Sequence, residues 1–262
     1  MEPIGIGLIG CGGMGRGLAQ SLQGVEGARL VAVSDVAEEA GQQAAAEFQV
    51  PYYRDYRELL DRQEVQGVIV AAPQFVHAEA TVAAAEAGKH IFCEKPMATN
   101  VADCDRMIAA AESAGVKLMI GQVCRFHGVH STVQRLVAEG VLGQPTCMMV
   151  HRLGGGWGQV WRQSWRMSKE RSGGTLMEVN AHEIDFLLWV CGEARQVYAA
   201  GGNYITPQMD YPDIALVTIT FRNGAVGFLH SSQATLFGGY GGRLDGTEGS
   251  AEFPSKIGRA HV

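Results

Sequence analysis

The first half of this 262-residue chain predicts an α/β fold, an open, doubly wound parallel sheet. Three observations carry that prediction. An apolar run at 4–9 enters Gly10-x-Gly12-x-x-Gly15 and gives way to a helical run at 16–22. Strand and helix patterns then alternate as far as residue 122. The residues with chemistry to offer fall at the carboxyl ends of the strands, where open α/β sheets bind ligands.

The glycine loop comes first. Gly10 makes the strand-to-helix turn, Gly12 leaves room for a pyrophosphate, and Gly15 lets the helix pack close on the strand. Cys11, Gly13 and Met14 complete the loop, and the helix offers its positive N-terminal end to an anion. A second strand at 29–34 ends in Asp35, where a carboxylate accepts hydrogen bonds from adenosine ribose hydroxyls. That favours NAD over NADP, because the carboxylate repels a 2′-phosphate and no arginine follows at once. An Ala/Glu/Gln-rich helix runs to about residue 48. The apolar run 66–72 reads as a strand covered on both faces, and Pro73 and Gln74 follow it. Residues 77–87 read as a helix stopped by Gly88, so His77 opens that helix, beside the cofactor or as a cap. A short strand at 90–93 leads into Glu94-Lys95-Pro96. A helix at 101–114 and a strand at 117–122 close the pattern.

Composition narrows the function classes. Lys and Arg number 21 against 27 Asp and Glu, a net charge of −6, with no basic cluster. Nucleic acid and anionic membrane are therefore poor partners. No stretch is long and apolar enough to span a bilayer. The apolar start reads as a strand rather than a signal peptide. Six cysteines lie scattered without a Cys-x-x-Cys pair, which suits reduced thiols in a cytoplasmic protein. Cys124-x-x-His127-x-x-His130 has no second ligand cluster and reads as a helix start, so no metal is expected.

Pro73-x-x-x-His77, Glu94-Lys95-Pro96 and Gly173-Gly174-x-Leu176-x-Glu178-x-x-x-His182-x-x-Asp185 together resemble the Gfo/Idh/MocA oxidoreductases, a family that includes inositol dehydrogenase and glucose–fructose oxidoreductase. The resemblance extends to about Pro254. It implies a Rossmann domain at 1–122 and, at 123–255, a substrate and oligomerisation α/β domain with a large, open, mostly antiparallel sheet. It also implies a homodimer or homotetramer at full length.

The resemblance implies roles as well. Lys95 would lie beside the nicotinamide and hydrogen-bond the reacting hydroxyl; oxidising a carbinol removes a proton from oxygen, which a lysine can take or relay. The segment 176–189 is helical in pattern, so Glu178 and His182 share one face, and the matching pair in the family binds sugar hydroxyls and assists proton transfer. Here Glu178 stands where aspartate is usual, a change of about a bond length in carboxylate position. Asn180 stands where a small residue is common. Glu94 and Arg125 are further cofactor candidates. His151, Arg152, Trp165 and Arg166 are candidates for the substrate pocket, and Asp185 reads as a structural helix residue. The expected activity is NAD-dependent hydride transfer with a cyclitol, sugar or related polyol. The alternatives are an NAD-dependent glycosidase with transient redox and a non-catalytic NAD-binding sensor.

The end of the chain carries its own expectation. Ile257-Gly-Arg-Ala-His-Val262 can be encoded by ATCGGAAGAGCACACGTC, the start of a common sequencing-library adaptor. Residues 256–262 are thus expected to be a non-native tail on a C-terminally truncated sequence. Strands at 213–221 and 225–231, joined by the hairpin signal Arg222-Asn223-Gly224, are then expected to lack later partners.

Overall fold

The computed structural model describes residues 2–154 and 164–253. The chain divides into two compact units, one ending at Gly121 and the other beginning at Gln122.

The N-terminal unit is built on six parallel strands: β1 (Ile4–Ile9), β2 (Ala28–Ser34), β3 (Tyr52–Tyr53), β4 (Gly67–Val70), β5 (His90–Glu94) and β6 (Leu118–Gly121). They lie in the order β3-β2-β1-β4-β5-β6, which reverses direction between β1 and β4. Helices α1 (Gly13–Leu22), α2 (Glu38–Phe48), α3 (Tyr56–Leu60), α4 (Gln74–Glu86) and α5 (Val101–Ala114) connect them. All four residues of β4 are buried, as its apolar run requires. The alanine-rich α4 buries Ala78, Ala80, Ala84 and Ala85, so little side-chain bulk separates it from the sheet. Asn100 caps α5 by accepting from the Asp103 N–H at 2.9 Å, and Gly115, at φ 66°, ends it. Two elements carried no sequence signal, β3 and α3, each too short to show a period. Helix α4 begins at Gln74, so His77 lies one turn inside it rather than opening it.

The C-terminal unit holds a 3₁₀ turn (Val123–Phe126), α6 (Gly128–Ala138), β7 (Pro145–Leu153), a second 3₁₀ turn (Trp165–Met167), and helices α7 (Lys169–Ser172), α8 (Thr175–Glu178) and α9 (Ala181–Cys191). Strands β8 (Ala194–Gly202), β9 (Ile214–Phe221), β10 (Val226–Ser232), β11 (Gly239–Gly246) and β12 (Ser250–Glu252) follow. The sheet order is β12-β11-β7-β10-β9-β8, and only β7 and β10 pair in parallel. One face packs Met148, Val150, Val217, Ile219 and Leu229 against Phe186, Leu187 and Val190 of α9.

Two expectations are corrected. The helix expected over 176–189 is two helices, α8 and α9, separated by Val179 and Asn180. The strands expected to lack partners are interior ones: β9 lies between β8 and β10, and β10 between β9 and β7. The tail at 256–262 lies outside the described residues.

Candidate active site

In the N-terminal unit the glycine loop is closed on one side and open on the other. A Cβ on Gly10, at φ 99°, would lie 2.6 Å from the Ala72 backbone nitrogen, and one on Gly15 would lie 1.9 Å from the Gly10 oxygen. At Gly12 and Gly13 a Cβ would meet nothing within 4 Å. That open cradle at the start of α1 fits a pyrophosphate. Asp35 is fixed beside it: Oδ2 accepts from the Cys11 N–H at 2.7 Å and Oδ1 from the Ala37 N–H at 2.8 Å. A carboxylate has about four acceptor positions, so capacity remains for ribose hydroxyls. The Cys11 N–H is thus engaged by Asp35. Burial, then the Asp35 charge, pushes the Cys11 thiol up to about 12, and the sulfur lies 3.6 Å from the Ser34 oxygen. Met14 is exposed.

Strands β1, β4 and β5 are neighbours, so the glycine loop, Pro73 and Lys95 sit at adjacent carboxyl ends, about 10 Å apart across two strand spacings. Pro73 caps α4, and Gln74 is buried behind it. His77 is buried, with Nδ1 2.9 Å from the Pro96 oxygen and Nε2 2.8 Å from the Ala72 oxygen. It ties the loop after β4 to the loop carrying Lys95. Glu94 is buried, and its Oε2 accepts from the Lys95 N–H at 3.1 Å. Burial raises the Glu94 carboxyl above the usual range, opposed by that hydrogen bond and by the Lys95 charge.

In the C-terminal unit Gly173 and Gly174 take φ of 66° and 82°, which turns the chain sharply between α7 and α8. The Tyr211 ring packs on Gly174, and its hydroxyl donates to the Arg166 carbonyl. Arg166 lies over Trp165, with 4.2 Å from its guanidinium carbon to the ring centroid, and its Nε is 2.8 Å from Oε1 of the buried Glu178. His182 is buried in the first turn of α9.

The neighbours His151 and Arg152 are parted by strand alternation. Arg152 lies on the helix-facing side of β7 and pairs with Glu183 at 3.0 Å. His151 lies on the other face, beside Gly241, and burial, then the neighbouring His230, holds its imidazole below the usual range. Arg125 makes a two-pronged ion pair with Asp185, 2.8 and 2.6 Å, and lies over Trp189. Asp185 thus holds Arg125 from α9. No group of three metal-ligating side chains occurs among the described residues; His127 caps α6, and His130 Nε2 meets the Tyr240 hydroxyl.

Three polar residues were not found as site candidates from the sequence. Glu183 is fully buried between Arg152 and Asn180. Its signal was a charge on the apolar face formed by 183, 186, 187 and 190. Asn180 stands out in the sequence only as an unusual residue at its position. The buried Asp213 accepts from the backbone N–H groups of Tyr204, Ile205 and Thr206, which no local pattern announces.

The sequence matches two family models. Residues 4–122 match the oxidoreductase family with an NAD-binding Rossmann fold, and 130–252 match the GFO/IDH/MocA C-terminal domain. The chain belongs to the Gfo/Idh/MocA oxidoreductase family. Its similarity to individual members runs along most of its length. It is 33% identical over 256 residues to 2,7-anhydro-N-acetylneuraminate hydratase of Mediterraneibacter gnavus, covering 95% of this chain and 67% of that protein. It is 30% identical over 241 residues to myo-inositol 2-dehydrogenase of Thermotoga maritima, covering 89% and 70%. Among solved structures it resembles levoglucosan dehydrogenase in complex with NADH, at 28% identity and a TM-score of 0.86, covering 97% of this chain and 73% of that one. This Gfo/Idh/MocA chain therefore spans about two thirds to three quarters of the length of these relatives. Among the described residues, no helix is long and apolar enough to cross a membrane.

Proposed function

We propose that the protein transfers a hydride between NAD and a carbinol of a cyclitol, sugar or related polyol. The observation that carries this reading is the row of strand ends in the N-terminal unit: an open glycine cradle, a carboxylate fixed for ribose, and Lys95 two strands away. Gly12, Gly13 and Asp35 hold the dinucleotide, and bound NAD supplies the acceptor for the hydrogen and its electron pair. Lys95 holds the reacting hydroxyl and takes its proton as the carbonyl forms. The contacts of Glu94 and His77 to the backbone of the Lys95–Pro96 loop keep the stem of the Lys95 side chain in place. In the C-terminal unit His182, Glu178 and Arg166 bind ring hydroxyls, with the Arg166 pairing fixing the Glu178 carboxylate. Arg152, Trp165 and Arg125 shape the pocket around them. The working form is a homodimer or homotetramer.

The test is NADH absorbance at pH 8–9 with NAD and a panel of inositols, aldoses and sugar acids. Turnover on one substrate class, lost in Lys95→Ala while NAD still binds, supports the reading. Bound NAD with no turnover in the parent chain overturns it.

A second reading has its own support. A relative at 33% identity is named a hydratase, and adding water is a reaction with no net oxidation. If this chain oxidises and then re-reduces a sugar, NAD is required but no NADH accumulates. Product formation that needs NAD, without absorbance change, distinguishes that course.

A further inference from the structure

The break between α8 and α9 is bridged by a chain of side-chain hydrogen bonds. Ser231 of β10 donates through Oγ to Asn180 Oδ1 at 2.6 Å. Asn180 Nδ2 donates to Glu183 Oε2 at 2.8 Å, and Arg152 Nη1 of β7 donates to Glu183 Oε1 at 3.0 Å. Ser231 and Arg152 are direct neighbours across the sheet, so three bonds tie two strands to the break and to the first turn of α9. Asn180, Glu183 and Ser231 are all fully buried.

Two features set this chain apart from ordinary helix capping. Asparagine at the start of a helix normally accepts from an N–H of the first turn. Asn180 stands at the N-cap of α9 and makes no such bond; its side chain reaches the sheet and Glu183 instead. A buried carboxylate paired with a guanidinium also adds little stability over apolar residues of the same volume. What such a network does supply is one fixed geometry. Between Asn180 and Glu183 the network encloses Ala181 and His182, and of these only His182 carries a side chain with chemistry to offer.

We propose that Glu183 is a positioning residue: through Asn180 and Arg152 it fixes the first turn of α9 and with it the imidazole of His182. This rests on the reading of His182 as a substrate-binding group. Asn180, where a small residue is common in the family pattern, is part of the same device.

The test uses the whole chain labelled with ¹⁵N-histidine, with the His182 ring signal assigned by its disappearance in His182→Gln. Glu183→Gln and Ser231→Ala are each expected to shift that signal. Each is also expected to lower kcat on the best polyol about 10- to 100-fold, the scale of a small misplacement, with NAD affinity unchanged. Ser231→Thr keeps the hydroxyl and restores both. Ser231→Ala touches only the far end of the chain of bonds, so it serves if Glu183→Gln fails to fold. An unmoved His182 signal in folded Glu183→Gln or Ser231→Ala overturns the proposal. If the parent chain turns over no polyol, the functional reading fails, and the His182 signal still decides the positioning role.

Discussion

His130 makes the fold sensitive to acid in a calculable way. It is buried on α6, 4.4 Å from the Phe186 ring by centroids and in contact with the Tyr240 hydroxyl. Burial, then the charges of His127 and Arg152, brings its imidazole from 6.5 to about 4, with Asp185 opposing. The folded state therefore binds this proton less tightly than the unfolded one. Stability is full above the unfolded value and is lost as pH falls from about 6.5 towards 4. With those two values, linkage removes about 2 kcal/mol between pH 8 and pH 5. The perturbation is His130→Gln, which cannot titrate and still offers an oxygen to Tyr240. Urea unfolding of both proteins at pH 8, 6.5 and 5 gives the difference. The parent is expected to lose about 2 kcal/mol more than the variant over that range. An equal loss in both would assign the acid sensitivity to groups other than His130.

Three further predictions concern the N-terminal unit. Gly12→Val fills open space, so its melting temperature should match the parent while NAD affinity falls at least about tenfold, or about 1.4 kcal/mol. Gly15→Ala instead pushes a methyl against the Gly10 oxygen and should cost about 1–3 kcal/mol of stability; melting curves and NAD titration separate the two outcomes. Glu94 carries a carboxyl raised by burial, so the folded state holds its proton more tightly and loses stability as pH rises through the folded value. Glu94→Gln should melt higher than the parent at pH 8, with the advantage shrinking towards pH 4. A variant that melts lower at pH 8 would show that the ionised carboxylate is favoured where it sits.

The N-terminal sheet was legible because its signals are local. A glycine loop must follow a strand, an all-buried strand must be apolar, and Gly88, at φ 72°, marks the end of one helix. The short β3 and α3 were not legible, since neither is long enough to show a period. The C-terminal unit was harder to read for a different reason. The apolar pattern at 176–189 continues through Val179, and nothing local stops a helix there. What stops it is tertiary: Asn180 is drawn to Ser231, 51 residues away. The same holds for Glu178, whose partner Arg166 lies beyond the Gly173-Gly174 turn. Spacing placed Glu178 and His182 on one helical face, whereas the two residues belong to different helices.

Register explains why the chemistry of the C-terminal unit lies where it does. On the helix-facing side of the sheet, Met148 and Val150 of β7 are matched by Gly227 and Leu229 of β10 and by Leu244 and Gly242 of β11. One step further along each strand the row becomes Ser231, Arg152 and Tyr240. Helix α9 changes in the same sense, from Val190, Leu187 and Phe186 to Glu183 and His182 at its start. The polar row is therefore the next layer of the apolar core. Core packing fixes the pairing of β7, and that pairing decides that Arg152, rather than His151, faces Glu183. A slip of one residue would exchange the two faces. It would expose Met148 and Val150 and leave Glu183 without its counter-charge. The energy that holds the polar row in place thus comes from the hydrophobic layers beneath it, and the hydrogen bonds among Ser231, Asn180, Glu183 and Arg152 refine a geometry already chosen.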